Sequence, residues 1–260
     1  HYAEIYRKLD SMHIKKRALI SSFKEKDTTY IHGESIIITG KEGEQIIRAF
    51  NNGKILRNTL SGKCDSIHYD QVSGIAQLIN NKNNLLKKSR KIKKPILWNN
   101  KSQITGDSIH IKFDTENNII DSLYVFDNAF IIEKDTLDLG YNQISGKKLF
   151  GNFIEGKLKF IDIIKNAESV YYLRNSENEL IGIDKSKSAK INILIEQQEI
   201  ETFTKINQID GKVFPEEDFN ENDKFLKGFY FREDERIETL EDLFKEDIKY
   251  ELIKINQLQN

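Results

Sequence analysis

Apolar and polar residues alternate along most of this chain, and the alternation carries a recurring tag: an acid, a serine, then apolar–any–apolar. It reads Asp10-Ser11-Met12-His13-Ile14, Glu34-Ser35-Ile36-Ile37-Ile38, Asp65-Ser66-Ile67-His68-Tyr69 and Asp107-Ser108-Ile109-His110-Ile111. It returns as Asp121-Ser122-Leu123-Tyr124-Val125 and Glu168-Ser169-Val170-Tyr171-Tyr172, with Asp135-Thr136-Leu137-Asp138-Leu139 as a softer copy. The starts at 10, 34, 65, 107, 121, 135 and 168 lie 24, 31, 42, 14, 14 and 33 residues apart, so the longer gaps have room for strands without the tag. Successive side chains of an extended strand point to opposite faces, so each tag places its apolar pair on one face. Ser11, Ser66 and Ser108 then share the other face with His13, His68 and His110.

Between the tags lie further strand-like runs: Gln45–Phe50, Lys54–Thr59, Ala129–Glu133, Leu158–Ile164, Lys190–Glu196 and Ile200–Ile206. Asn51-Asn52-Gly53, Glu116-Asn117-Asn118 and Asp210-Gly211 read as the turns that separate strands. Many short, punctuated strands with almost no helical periodicity predict an all-β chain. Quasi-repeated strands that each bury one face against their neighbours favour a stacked roll or solenoid over a closed barrel.

Two segments depart from the pattern. Between Lys82 and Lys94 there are seven basic side chains and little apolar material, which predicts a solvated loop ended by Pro95. After Pro215 the alternation stops. Thr239 reads as an N-cap for a helix with Leu240, Leu243, Phe244, Ile248 and Leu252 on one face. The expected organisation is a β-roll over residues 1–214 and a C-terminal appendage with one short helix over 215–260.

Composition narrows the function. Forty Lys and Arg against 41 Asp and Glu make a near-neutral chain, unlike a dedicated nucleic-acid binder, which needs a basic excess to meet phosphates. A 38% apolar share, 10% of the chain being aromatic, suffices for a core but suits an elongated or two-layer shape. The single cysteine, Cys64, rules out an intrachain disulfide, and no His/Cys cluster has zinc spacing. No apolar run reaches the roughly 18 residues of a membrane span. The chain begins at His1, in mid-pattern, so a preceding N-terminal portion is expected.

Candidate chemistry is sparse. His13, His68 and His110 occupy matching tag positions, but their spacing is uneven and no fixed carboxylate follows each, so no metal site is assigned. The tag acids could form a carboxylate ladder for general acid–base work. Their presence in every copy fits a structural task better, such as bonding the chain where it turns into a strand. Gly40-Lys41-Glu42-Gly43 lacks a phosphate-loop continuation, and there is no G-x-S-x-G elbow. No cofactor is implied. What remains is the apolar face formed by Ile36, Ile38, Ile67, Tyr69, Ile109, Ile111, Leu123, Val125, Val170 and Tyr172. Pattern alone leaves open whether these residues are simply core or line a trough for acyl chains, where each buried CH₂ contributes ~0.8 kcal/mol.

Several runs resemble the OstA-like family, periplasmic proteins related to lipopolysaccharide transport protein A, in a form similar to the Bacteroidota version. They are Gly62-Lys63-Cys64-Asp65-Ser66-Ile67-His68-Tyr69, Pro95-Ile96-Leu97-Trp98, Gln103-Ile104-Thr105-Gly106-Asp107-Ser108-Ile109-His110 and Asp121-Ser122-Leu123-Tyr124-Val125-Phe126-Asp127-Asn128-Ala129-Phe130. Asn142-Gln143-Ile144-Ser145-Gly146-Lys147, Asn166-Ala167-Glu168-Ser169-Val170-Tyr171-Tyr172 and Glu179-Leu180-Ile181-Gly182-Ile183 extend the likeness, which runs from about residue 4 to 245. These are strand signatures, not a catalytic fingerprint.

The resemblance implies two antiparallel sheets facing each other in a V, a jellyroll or folded-taco shape, in a non-enzymatic protein of the Gram-negative periplasm. It implies that lipid A acyl chains of lipopolysaccharide are shielded between the sheets, at the ten apolar positions named above. It implies partners too: other lipopolysaccharide-transport proteins, and head-to-tail copies of the chain, joined strand edge to strand edge. The basic insertion at 82–94 and the C-terminal helix depart from the best-known members, and a helix over the last strand would obstruct pairing there. A closed roll acting only through its edges is the alternative, and a stacked-β enzyme acting on polysaccharide a third.

Overall fold

A strand that passes from one sheet to another needs a break in its period-two pattern, and this chain supplies one on every second long strand. The computed structural model describes residues 2–6, 9–24, 27–80, 94–117, 119–135, 137, 140–197 and 199–247. Its strands are β1 (Tyr2–Tyr6), β2 (Ser11–Lys24), β3 (Asp27–Thr39), β4 (Ile46–Arg57), β5 (Leu60–Asp70), β6 (Ile75–Ile79), β7 (Ile96–Asn99) and β8 (Ser102–Thr105). The series continues with β9 (Ser108–Phe113), β10 (Ile120–Lys134), β11 (Tyr141–Ile154), β12 (Lys157–Arg174), β13 (Leu180–Glu196), β14 (Glu199–Ile206) and β15 (Asp210–Phe214). All pair antiparallel, in an order that follows the chain from β1 to β14.

The breaks are pairs of residues with positive φ: Lys16-Arg17 in β2, Asn51-Asn52 in β4, Asp127-Asn128 in β10, Lys165-Asn166 in β12 and Asn207-Gln208 between β14 and β15. The pairing register shifts at the first four of these. Asn and Asp tolerate the left-handed region best, which accounts for their frequency here. At each shift, two residues oppose one on the partner strand, and that one extra residue bends the strand sharply; the aligned bends make a crease that folds the strands into a V. Each long strand thus lends one half to a first sheet and the other half to a second. β6 and β7 act as one such strand, since they pair with the two halves of β5. The neighbouring strand crosses at Gly106, between β8 and β9, where a Cβ would collide with Val125 Cγ1.

Asn51-Asn52-Gly53 is therefore a bend inside β4, not a turn between strands, and Asp210-Gly211 lies within β15. Glu116 and Asn117 do belong to a turn, with both backbone N–H groups donating to the Asp114 carboxylate. The tag acids brace the crease: the Glu34 carboxylate accepts from Asn51 Nδ2 at 3.1 Å and that of Asp107 from Asn128 Nδ2 at 2.9 Å. Of the basic segment, only Lys94 is among the described residues.

The largest apolar cluster lies between the two sheets, where Ile55, Leu97, Ile104, Ile131 and Ile144 of the second face Ile36, Ile67, Leu78, Ile109 and Ile163 of the first. A second and a third cluster lie on the outer face of the second sheet, and the C-terminal segment covers them with Phe219, Leu226, Ile237 and Leu243. That segment differs from the expected helix. Its described part contains four isolated 3-10 turns, the last being Glu241–Phe244 with Leu243 buried. Asp242 accepts from the backbone N–H groups of Glu238 and Thr239, which tightens the turn. The strap crosses the sheet face and does not cap an edge strand, while Ile248 and Leu252 lie outside the described residues. No helix among the described residues is long and apolar enough to cross a membrane.

Candidate functional site

The space between the sheets collects most of the apolar tag residues, and its three regions differ in chemistry. In the middle it is filled. Ile36, Ile67, Ile109 and Ile111 have no exposed surface, and Leu123 and Val125 have 1%. These six belong to one cluster, with Ile38 and Tyr69 packed half-buried against its rim.

Val170 and Tyr172 do not join them. Both lie on the outer face of the second sheet, beneath the strap, with Phe219 and Leu226. The reason is topological. After the crease, the tags of β3, β5 and β9 run into the first sheet, whereas that of β12 runs into the second. Alternate strands of a meander cross a crease in opposite senses, so one tag meets opposite faces.

At the β1 end the interior opens. Ile5, Met12 and Ile38 are cross-strand neighbours on the inward face. With Tyr6, Gly40 and Gln45 they line a pocket of about 440 Å³. Ile5 is 64% exposed, so apolar surface that continues the core faces solvent here.

On the open side of the V, Arg57 reaches from the second sheet to the first. Its guanidinium lies 5.5 Å from the centre of the Phe113 ring and donates to Thr29 Oγ1 at 3.1 Å. Phe113 in turn meets Tyr69 edge-on, with ring centres 6.1 Å apart. Arg57 is 4% exposed, so this contact seals the gap between the sheets.

Toward β14 the interior becomes polar. Lys205 Nζ lies 2.6 Å from Asp184 Oδ2, joining the first-sheet strand β14 to the second-sheet half of β13. Ser186 donates to the same carboxylate at 2.9 Å, and the Ser169 and Ser186 hydroxyls are 3.0 Å apart. Tyr171 closes the cluster against Phe203, and burial pushes its hydroxyl up to about 12. Sequence reasoning missed this plug, since its residues are scattered and unremarkable in type.

The three tag histidines lie on the outer face of the first sheet. His68 and His110 flank β6, where Gln77 pairs with both, and burial holds each below the ordinary histidine range. His13 stacks beside Tyr6 on β1. Cys64 is buried, and burial pushes its thiol far up. Among the described residues no group of three or more His, Cys, Asp or Glu is placed to hold a metal ion.

No protein-family model and no curated protein matches the chain. Among solved structures it is similar to LptH, described as the LptA-homologous periplasmic component of the conserved lipopolysaccharide transport device of Pseudomonas aeruginosa. The two share 13% sequence identity with a TM-score of 0.42, over 61% of this chain and 96% of that one.

Proposed function

We propose that this chain is a non-enzymatic, OstA-like module of the periplasm that binds lipopolysaccharide, taking lipid A acyl chains between its two sheets and passing them along a bridge of edge-paired partners. The observation that carries this reading is the β1 end, where the inward apolar row continues from the sealed core into an open pocket beside an edge strand. An acyl chain entering there meets Ile5, Met12 and Ile38 first and Ile36 beyond them. Among the described residues β1 and β14 are each paired on one side only, which leaves an edge at either end for a partner strand.

The zero exposure of Ile67, Ile109 and Ile111 favours a second reading, a dry roll that acts only through its edges. Photo-crosslinking separates the two. A photoreactive residue is placed at Ile38, at Ile109 and at the outward His110 in cells making lipopolysaccharide. The lipid carrier predicts adducts at Ile38 and Ile109 and none at His110. Protein adducts at the edges with no lipid adduct at either inward position would establish the dry roll instead.

A further inference from the structure

The outer face of the second sheet grips the C-terminal strap by its backbone. Gln143 has no exposed surface and Gln103 has 1%. The Gln143 amide accepts from Leu226 N–H at 2.9 Å and donates to Lys224 O at 2.7 Å. Gln103 repeats the arrangement one strand pair away, accepting from Arg232 N–H at 2.7 Å and donating to Tyr230 O at 2.8 Å. Further along, buried Lys54 donates to the carbonyls of Asp242 and Leu243 at 3.2 and 2.7 Å. Each glutamine takes one strap C=O and the N–H two residues further on, and Lys54 takes two carbonyls of the last 3-10 turn, so the site reads main chain and not side-chain identity.

Side chains add complementary charge. Residues 215–247 carry thirteen acidic and five basic side chains. The roll meets them with Lys185 on Asp223, Lys63 on Glu235 and Glu246, and Arg17 on Asp247. Trp98 Nε1, fully buried on this face, meets no acceptor among the described residues.

We infer that this face is a peptide-binding groove, that residues 215–247 are its tethered ligand, and that the same segment of a second copy docks there once the resident one leaves. The groove cannot stand empty, because two buried amides and an ammonium would lose all these partners inside an apolar face. Only another acidic segment that presents the same main-chain groups and apolar anchors replaces them, and a second copy carries one. In the intact chain the tether holds the resident segment at millimolar effective concentration, which favours the closed form. This inference stands apart from the lipid reading.

The test uses the full chain with a protease site inserted between Phe214 and Pro215, and a fluorescent synthetic peptide of residues 215–247. After cleavage the resident segment should co-elute with the roll and exchange for the labelled peptide saturably. The uncut chain should take up at least a hundredfold less. Gln103→Leu and Gln143→Leu should each weaken peptide retention at least tenfold, and raised salt should weaken it further. A cut chain that keeps its own segment for days without exchange, or that loses its strand circular dichroism as the segment leaves, would overturn the inference, because the segment would then be inseparable core.

Discussion

Arg57 and Phe113 face each other across the open side of the V, with 5.5 Å between the guanidinium carbon and the ring centre, and they are the contact by which the second sheet closes over the first. A desolvated cation–π contact contributes about 2 kcal/mol and a hydrogen bond such as that to Thr29 about 1. Arg57→Ala should therefore lower stability by about 2–3 kcal/mol in urea unfolding. It should also raise binding of a hydrophobic dye to the folded protein, because the Tyr69–Phe113 rim is uncovered. Arg57→Lys keeps the charge but loses the planar stack, and should fall between.

The Lys205–Asp184 pair closes the other end. Removing one partner of a fully buried pair costs roughly 3–5 kcal/mol. Lys205 keeps 20% of its side-chain surface exposed, so Asp184→Ala should cost less, about 1–3 kcal/mol. The double variant Asp184→Leu with Lys205→Met should recover most of that loss, because no charge is left without a partner. Chemical denaturation of the two singles and the double supplies the cycle.

Stability should decline on acidification. His32 is fully buried with Nε2 3.0 Å from Asp247 Oδ1, and burial lowers its proton affinity more than Asp247 raises it. Burial acts in the same direction on His68 and His110. Below the ordinary histidine value, about 6.5, the unfolded chain binds protons that the folded chain resists, so stability is lost as pH falls. The thermal midpoint should drop between pH 7 and pH 5. His32→Gln, which keeps a donor for Asp247, should flatten that drop.

Cys64 should behave as a reporter of unfolding. Its thiol is buried and its ionisation is opposed by burial, so the thiolate that reacts with disulfide reagents is scarce. Labelling in native buffer should be at least a hundredfold slower than in denaturant. Arg57→Ala should accelerate it about tenfold for each ~1.4 kcal/mol of stability lost.

Much of this architecture is legible in the sequence, because a period of two needs no tertiary information. The tags at Glu34, Asp65, Asp107 and Asp121 place Ile36, Ile67, Ile109 and Leu123 on an apolar face, and the all-β roll follows from their recurrence. The sequence also marks the change at Pro215, where alternation ends and the strands stop. What it does not carry is the crease. Asn51-Asn52 reads as a turn because Asn favours positive φ in turns and in bulges alike, and only pairing with β3 and β5 shows that β4 continues through it. Which way a strand crosses the crease decides which face its tag presents, so Val170 and Tyr172 match Ile109 and Ile111 in sequence yet lie on the opposite side of a sheet. The spacing of Leu240, Leu243 and Phe244 predicts a helix, but the strap makes only short 3-10 turns, its main chain bonded by the buried amides of Gln103 and Gln143 and the ammonium of Lys54. Local periodicity is written in each segment. The partner that satisfies a segment's backbone is chosen by strands far away in the chain, and that choice belongs to the tertiary structure.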